Sequence, residues 1–378
     1  MFKYLLILLT LILVDIYCDT IKNSENIRFK RGIVKKKELK WNILSIPYKI
    51  DKRLNETVIK IALEDISSKT CLKFKKDNKF KGDGLYFQLG NNCSTEVGRE
   101  PKNKPHVVTL TQQCLFKDTI SNAVLLSLGV IYQHQRPDSK KYIKFSKKHM
   151  SKDAYKNVMS KSEYSQLTYN IKYDYASVMQ IGKFYGSKDG FQTVFPVKNE
   201  YTSTISLLDG IGWNDAKLLN FHYCRKVCPK EMKCYNKGYT NPNNCKSCIC
   251  PRFFEGKDCS KYKKSDIKLC GNSKLFAKKQ KQELNISGIK DCYYKIEAKK
   301  GHKIKIKLVK IKFDIYIPCS FKEGLEIALS KDKSISGAYF CNKESDMEME
   351  SEDNIVLIHY KGIKNNQKSI LRYSQIRN

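Results

Sequence analysis

Residues 121–138 read SNAVLLSLGVIYQHQRPD, and their pattern sets the fold. Ile120, Val124, Leu125 and Leu128 recur every three or four positions, as on a helix that buries one face. Gly129 then turns the chain, and Arg136-Pro137-Asp138 closes the segment. Working outward, residues 46–50 (IPYKI) alternate as a strand, and residues 54–70 carry apolar side chains at helical spacing behind an Asn55 cap. Residues 84–90 and 106–111 read as further strands. This part of the chain is α+β.

The ends add different material. Residues 1–18 place Lys3 before an apolar run that Asp15 stops, the form of a signal peptide and too short for the roughly 20 residues that span a bilayer. Residues 19–31 form a short pro-segment ending in Arg28-Phe29-Lys30-Arg31, which has the spacing of a basic processing site before Gly32 and equally that of a plain basic linker. Of 15 cysteines, 14 lie between Cys71 and Cys341, an even set that implies a disulfide framework in an oxidising compartment. Asn55-Glu-Thr and Asn285-Ile-Ser are glycosylation sequons; Asn92-Cys-Ser is the weaker third because its middle residue is expected to be bridged. A secreted, extracellular protein without stable membrane insertion is expected.

After Cys224 six cysteines crowd into residues 228–259, a loop-rich piece with too few apolar residues for a core of its own. From Cys270 onward the chain is strand-like. Residues 302–313 (HKIKIKLVKIKF) alternate lysine with Ile and Leu, the period of an antiparallel sheet with one wet face, so a β-sandwich is expected. The net charge of +33 favours anionic partners, sulfated glycans among them. Secretion disfavours nucleic acid, and the lysines are spread along the whole chain as on a solvated surface.

A helix bearing His-Glu-x-x-His sets two imidazoles one turn apart with a glutamate as general base, and a following glycine brings a third His to the same zinc. The spacing around Gly129 fits that metzincin plan, and residues 40–224 resemble the astacin family of zinc endopeptidases. The resemblance rests on Lys40-Trp41, Ile46-Pro47-Tyr48, Thr70-Cys71, Cys93 with Val97-Gly98-Arg99, and Leu128-Gly129. It continues through Gln135-Arg136-Pro137-Asp138, Tyr173-Asp174-Tyr175 with the Met-turn Ser177-Val178-Met179, Leu207-Leu208-Asp209, Leu218-Leu219-Asn220, and Tyr223-Cys224. Carried over by position, the zinc ligands are replaced by Asn122, Leu126 and Tyr132, the catalytic glutamate by Ala123, and the tyrosine after the Met-turn by Ile181. Gln133 stands where relatives keep the glutamate that anchors a processed N-terminus. His134 follows the third ligand position, without ligand spacing to other histidines.

The fold class implied is α+β: an astacin-like metzincin domain at 32–224, a disulfide-rich EGF-like module at 225–262, and an all-β CUB sandwich at 268–378. The resemblance pairs Cys71 with Cys224, Cys93 with Cys114, Cys228 with Cys245, Cys234 with Cys248, Cys250 with Cys259, Cys270 with Cys292, and Cys319 with Cys341. Its domain order resembles that of nematode gut and skin-invading enzymes. Catalytic zinc needs three N, O or S ligands, and loss of a general base costs about 10² to 10⁴ in rate. The sequence therefore points to an inactive homologue that holds no zinc or other cofactor and acts by binding a protein or peptide ligand or a sulfated glycan. Two alternatives stand beside it: an active peptidase with unusual ligands, and a CUB-mediated adhesion or glycan-binding protein using Lys303, Lys305, Lys307, Lys310 and Lys312.

Overall fold

A computed structural model describes residues 32–100, 103–160, 165–205, 207, 209–313 and 319–377. The signal peptide expected at 1–18 and the pro-segment expected at 19–31 lie outside the described residues. The first domain opens with a five-stranded sheet in the order Lys73–Lys76, Ser45–Ile50, Leu85–Leu89, His106–Leu110, Ser94–Thr95; only the last, an edge strand, runs antiparallel to its neighbour. Parallel neighbours need a crossover. The helix Glu56–Lys69 supplies one, and its Asn55 cap accepts the Thr57 N–H at 3.0 Å. Its buried Ile59, Ala62, Leu63 and Ile66 share one core with Ile46, Leu85, Phe87 and Val108 of the sheet.

The helix Lys117–Ser127 enters that same core through Ile120, Val124 and Leu125. Gly129 follows with φ +85°, and a Cβ there would stand 2.7 Å from Val34 Cγ2. Only glycine meets both demands without strain. The Gly129 carbonyl accepts from Val34 N at 2.9 Å, which ties the strand Ile33–Val34 to the turn. From the other side, the buried Trp41 indole donates to Ser127 O at 2.7 Å.

The lower lobe has little regular structure. Strands Ile143–Phe145 and Val194–Pro196 pair, helix Lys152–Met159 stands beside them, and Tyr142, Tyr173, Tyr175 and Tyr201 stack as its core. The helix Trp213–Leu219 closes the domain, and Cys71–Cys224 ties its end back to the upper sheet. The other six bridges are Cys93–Cys114, Cys228–Cys245, Cys234–Cys248, Cys250–Cys259, Cys270–Cys292 and Cys319–Cys341.

The C-terminal domain is a sandwich. One sheet orders Lys274–Phe276, Lys290–Glu297, Ile355–Gly362, Gly324–Ala328, Ala338–Phe340, and the other Gln282–Ser287, Lys368–Arg377, His302–Lys312, Glu348–Glu350. The expected antiparallel arrangement needs one correction: Lys274–Phe276 runs parallel to Lys290–Glu297. The simple alternation of residues 302–313 needs another. The register shifts between Leu308 and Lys310, because the lysines change parity from 303, 305 and 307 to 310 and 312. One extra residue, Val309, lets Ile311 and Phe313 stay inside with Ile304, Ile306 and Leu308 while Lys310 remains exposed.

The three-bridge segment between the domains does not stand alone. Its Phe253 and Phe254 form a core with Ala328 and Leu357 of the sandwich, supplying the burial its own composition lacks. On its other flank Asn243 Nδ2 donates to Thr70 O at 3.1 Å, and Lys73 Nζ donates to Asn243 Oδ1 at 2.8 Å. The sandwich also meets the lower lobe directly. Thr204 Oγ1 accepts from Tyr339 N at 3.0 Å and donates to Gly337 O at 3.2 Å, while Asn214 Nδ2 donates to Ser334 O at 3.2 Å.

Candidate functional site

The helix Lys117–Ser127 places Asn122 and Leu126 four residues apart, hence on one face, with Ala123 beside them. Past the Gly129 turn, Tyr132 returns to that face: its hydroxyl donates to Asn122 Oδ1 at 3.0 Å. The Asn122 amide donates in turn to Val178 O at 2.9 Å. Two positions that in the astacin plan would point at a common ion are hydrogen-bonded to each other. Leu126 and Ile181 are each at least nine-tenths buried, and Met179 is fully buried beneath them as the floor of the turn.

The Met-turn is held from behind by a residue the sequence reading did not single out. Asp215, fully buried at the start of the closing helix, accepts from Ser177 Oγ at 2.6 Å, Val178 N at 3.1 Å and Gly212 N at 3.1 Å. An acid in the first turn after Gly212 was the available signal. Arg136, also buried, forks onto Asp138 with two 2.7 Å bonds and lies over the Tyr173 ring, so the exit Arg136-Pro137-Asp138 is a packing element. At the N-terminal side Gly32 is buried and its carbonyl accepts from Ile131 N at 3.0 Å, while Gln133, also buried, donates its backbone N–H to Met179 O at 2.9 Å.

Burial sets the electrostatics. It pushes the Tyr132 phenol up to about 12, with Tyr185 adding to the effect, so the group is a neutral donor rather than a phenolate. It pulls His134 down to about 4. The His134 ring lies 5.5 Å from Tyr132 and edge-on to Phe145 at 6.5 Å, and its Nδ1 has no hydrogen-bond partner among the described residues. Of the other histidines, His106 Nε2 meets Thr95 Oγ1 at 2.7 Å, His222 Nδ1 meets the Tyr169 hydroxyl at 3.1 Å, His149 pairs with Asp189 and His359 with Asp291. His302 lies at the start of its strand in the sandwich, its Nδ1 near Lys300 O.

A zinc ion does not fit this donor set. Asn122 offers one neutral amide oxygen that already accepts a hydrogen bond, Tyr132 a protonated phenol, Leu126 and Ile181 nothing. Among the described residues no group of three His, Cys, Asp or Glu side chains could hold a metal ion. The geometry can pack and hydrogen-bond; it presents no carboxylate at position 123 to act as base.

Acid stability tests the buried histidines. His106, His134 and His222 all sit at about 4 because burial disfavours their charged forms. Between pH 6.5 and 4 the unfolded chain therefore binds protons at these sites that the folded chain does not, so stability falls as pH falls through that window. Urea midpoints at pH 7, 5.5 and 4.5 are expected to decline in that order, and His134→Phe to flatten the decline.

Comparison with known proteins fits this frame. The profile for astacin, a family of peptidases, matches residues 33–224. The chain belongs to the astacin family. A CUB domain profile matches residues 272–371. Among astacin relatives, zinc metalloproteinase nas-34 of Caenorhabditis elegans is 28% identical over 358 residues, covering 93% of this chain and 58% of the relative. Zinc metalloproteinase nas-36 of Brugia malayi is 30% identical over 317 residues, covering 80% of this chain and 54% of the relative. The chain thus spans little more than half the length of these curated relatives. A solved structure of the hatching enzyme HCE-1, a zinc protease of the medaka fish Oryzias latipes, aligns with a TM-score of 0.46 and 20% identity over 51% of this chain and 98% of the enzyme.

Proposed function

We propose that this astacin-family chain is an extracellular binding protein without peptidase activity, a pseudoenzyme that holds a protein or peptide ligand at the remnant of a catalytic cleft. The observation that carries the reading is the Tyr132 to Asn122 hydrogen bond. It satisfies two ligand positions with each other and leaves the other two apolar. Leu126 and Ile181, buried where a ligand-bearing site would be polar, stabilise the metal-free domain by roughly 1.5–3 kcal/mol each. The segment after the Met-turn supplies contact surface: Phe184, Tyr185 and Phe191 are exposed, as is Phe195 in the strand Val194–Pro196 that follows. Aromatic side chains are enriched among the residues that carry binding energy at interfaces.

Seven disulfides support an oxidising, extracellular location. No helix among the described residues is long and apolar enough to cross a membrane. In this reading the three-bridge segment at 225–262 is an EGF-like spacer that fixes the CUB domain against the peptidase-like domain. Exposed Asn55 and Asn285 would carry glycans. The sulfated-glycan reading attaches to the CUB lysines rather than to the cleft.

Elemental analysis of the purified chain after exhaustive dialysis tests the proposal. Less than about a tenth of an equivalent of zinc is expected, because fewer than three usable ligands remain. Close to one equivalent, together with cleavage of a peptide substrate, would overturn it.

A further inference from the structure

The lysines on the CUB sheet divide into two groups that the sequence does not distinguish. Lys305 pairs with Glu348 at 2.7 Å, Lys307 with Asp346 at 3.0 Å, and Arg372, opposite Lys307, with Glu283 at 3.1 Å. Lys305, Lys307 and Arg372 are thus each matched by an acid. Beyond the Val309 bulge the pattern changes. Lys312 stands directly opposite Lys368 on the neighbouring strand, and Lys310 lies one step along on the same face. None of these three makes an ion pair or a side-chain hydrogen bond among the described residues.

Like charges directly opposite each other in an antiparallel pair are destabilising. The arrangement therefore opposes folding slightly, and an anion laid across the pair would relieve it. Its shape selects among anions. Lys310 and Lys312 are spaced by two residues, about 6.6 Å along the strand, with Lys368 alongside, so the positive charge forms a short strip on one sheet face. Exposed Asn285 is paired with Ile370, itself opposite Lys310, so a glycan there would rise from the same face. A carbohydrate at that position would keep a broad bilayer away while leaving room for a slender chain.

We propose that Lys310, Lys312 and Lys368 form the binding strip for a sulfated glycan chain. The site is separate from the cleft, so it stands whether or not zinc is bound there. The probe is a heparin oligosaccharide, with the full secreted chain at physiological salt. Lys310→Gln, Lys312→Gln and Lys368→Gln together are expected to weaken binding by about tenfold or more, the scale on which a focused charge patch acts. Two controls, the Lys305→Gln/Lys307→Gln pair and the charge-matched, exposed Lys35→Gln/Lys36→Gln/Lys37→Gln triple, are expected to change it less than about twofold. The 310/312/368 variant should also melt no lower than the parent, since a repulsion has been removed, which separates lost binding from lost fold. Equal weakening by test and control variants would reduce the effect to net charge and overturn the strip. Loss of binding to phosphatidylserine vesicles with heparin binding unchanged would replace the glycan by a lipid surface and overturn it too.

Discussion

Asn122→His, Ala123→Glu, Leu126→His, Tyr132→His and Ile181→Tyr, made together, are expected to raise bound zinc from under about a tenth of an equivalent to about one. The expectation rests on a scaffold that still has the required shape. Positions 122 and 126 lie on one face of the Lys117–Ser127 helix, and Gly129 at φ +85° returns position 132 to it, as the Tyr132 to Asn122 contact demonstrates. Asp215 holds the Met-turn through Ser177 and Val178 by contacts that none of the replaced side chains makes, although Asn122→His gives up the amide bond to Val178 O. Burial works against the variant when metal is absent, since replacing Leu126 and Ile181 forfeits roughly 1.5–3 kcal/mol at each position. The metal-free variant should therefore melt below the parent and recover on zinc addition, whereas the parent should not respond. A companion carrying the four other substitutions but retaining Ala123 isolates the base: it should bind zinc equally and cleave peptide about 10² to 10⁴ times more slowly than the fivefold variant. A fivefold variant that keeps its seven bridges and secondary structure yet takes up no zinc would mean that the cleft has closed around its replacements.

How far the sequence carries the reader depends on whether the signal is local. The helix through Val124, Leu125 and Leu128, its glycine turn and the Asn55 cap are short-range patterns, and the structure has them at those positions. Four of the five replaced positions are placed by the family resemblance through their spacing around Gly129, and Ile181 through its place after the Met-turn. What spacing could not give is what replaces the chemistry. That Tyr132 donates to Asn122 depends on a turn angle, and that Asp215 secures the Met-turn depends on a contact 37 and 38 residues away in the chain. The lysine row illustrates the same limit. Alternation identifies its wet face, but the shift in parity encodes a bulge, and the acids that cancel Lys305 and Lys307 come from a strand and loop some 40 residues later. The lower lobe was legible least, because tyrosine stacking rather than periodic burial builds it.

The contact between the three-bridge segment and the CUB domain carries the second large expected effect. Glu326 lies in the strand Gly324–Ala328 with its side chain 1% exposed, accepts from Gly337 N at 2.9 Å, and pairs with Arg252 from the neighbouring module. Arg252 in turn stands over the Phe321 ring, its Cζ 3.2 Å from the ring centroid. Burying such a pair brings little net stability compared with an apolar substitute, but removing one partner leaves the other charged and poorly solvated. Arg252→Met is therefore expected to cost about 3–5 kcal/mol, because the Glu326 carboxylate is too enclosed to recover its hydration. Glu326→Ala should cost somewhat less, since Arg252 retains some exposure and its ring contact, although Gly337 N loses its acceptor. The Arg252→Met/Glu326→Leu double variant should cost clearly less than the sum of the singles, with urea unfolding of the full chain as the measure. Additive losses would mean that the two residues act separately. Single losses below about 0.5 kcal/mol would mean that the modules are held by Phe253 and Phe254 alone.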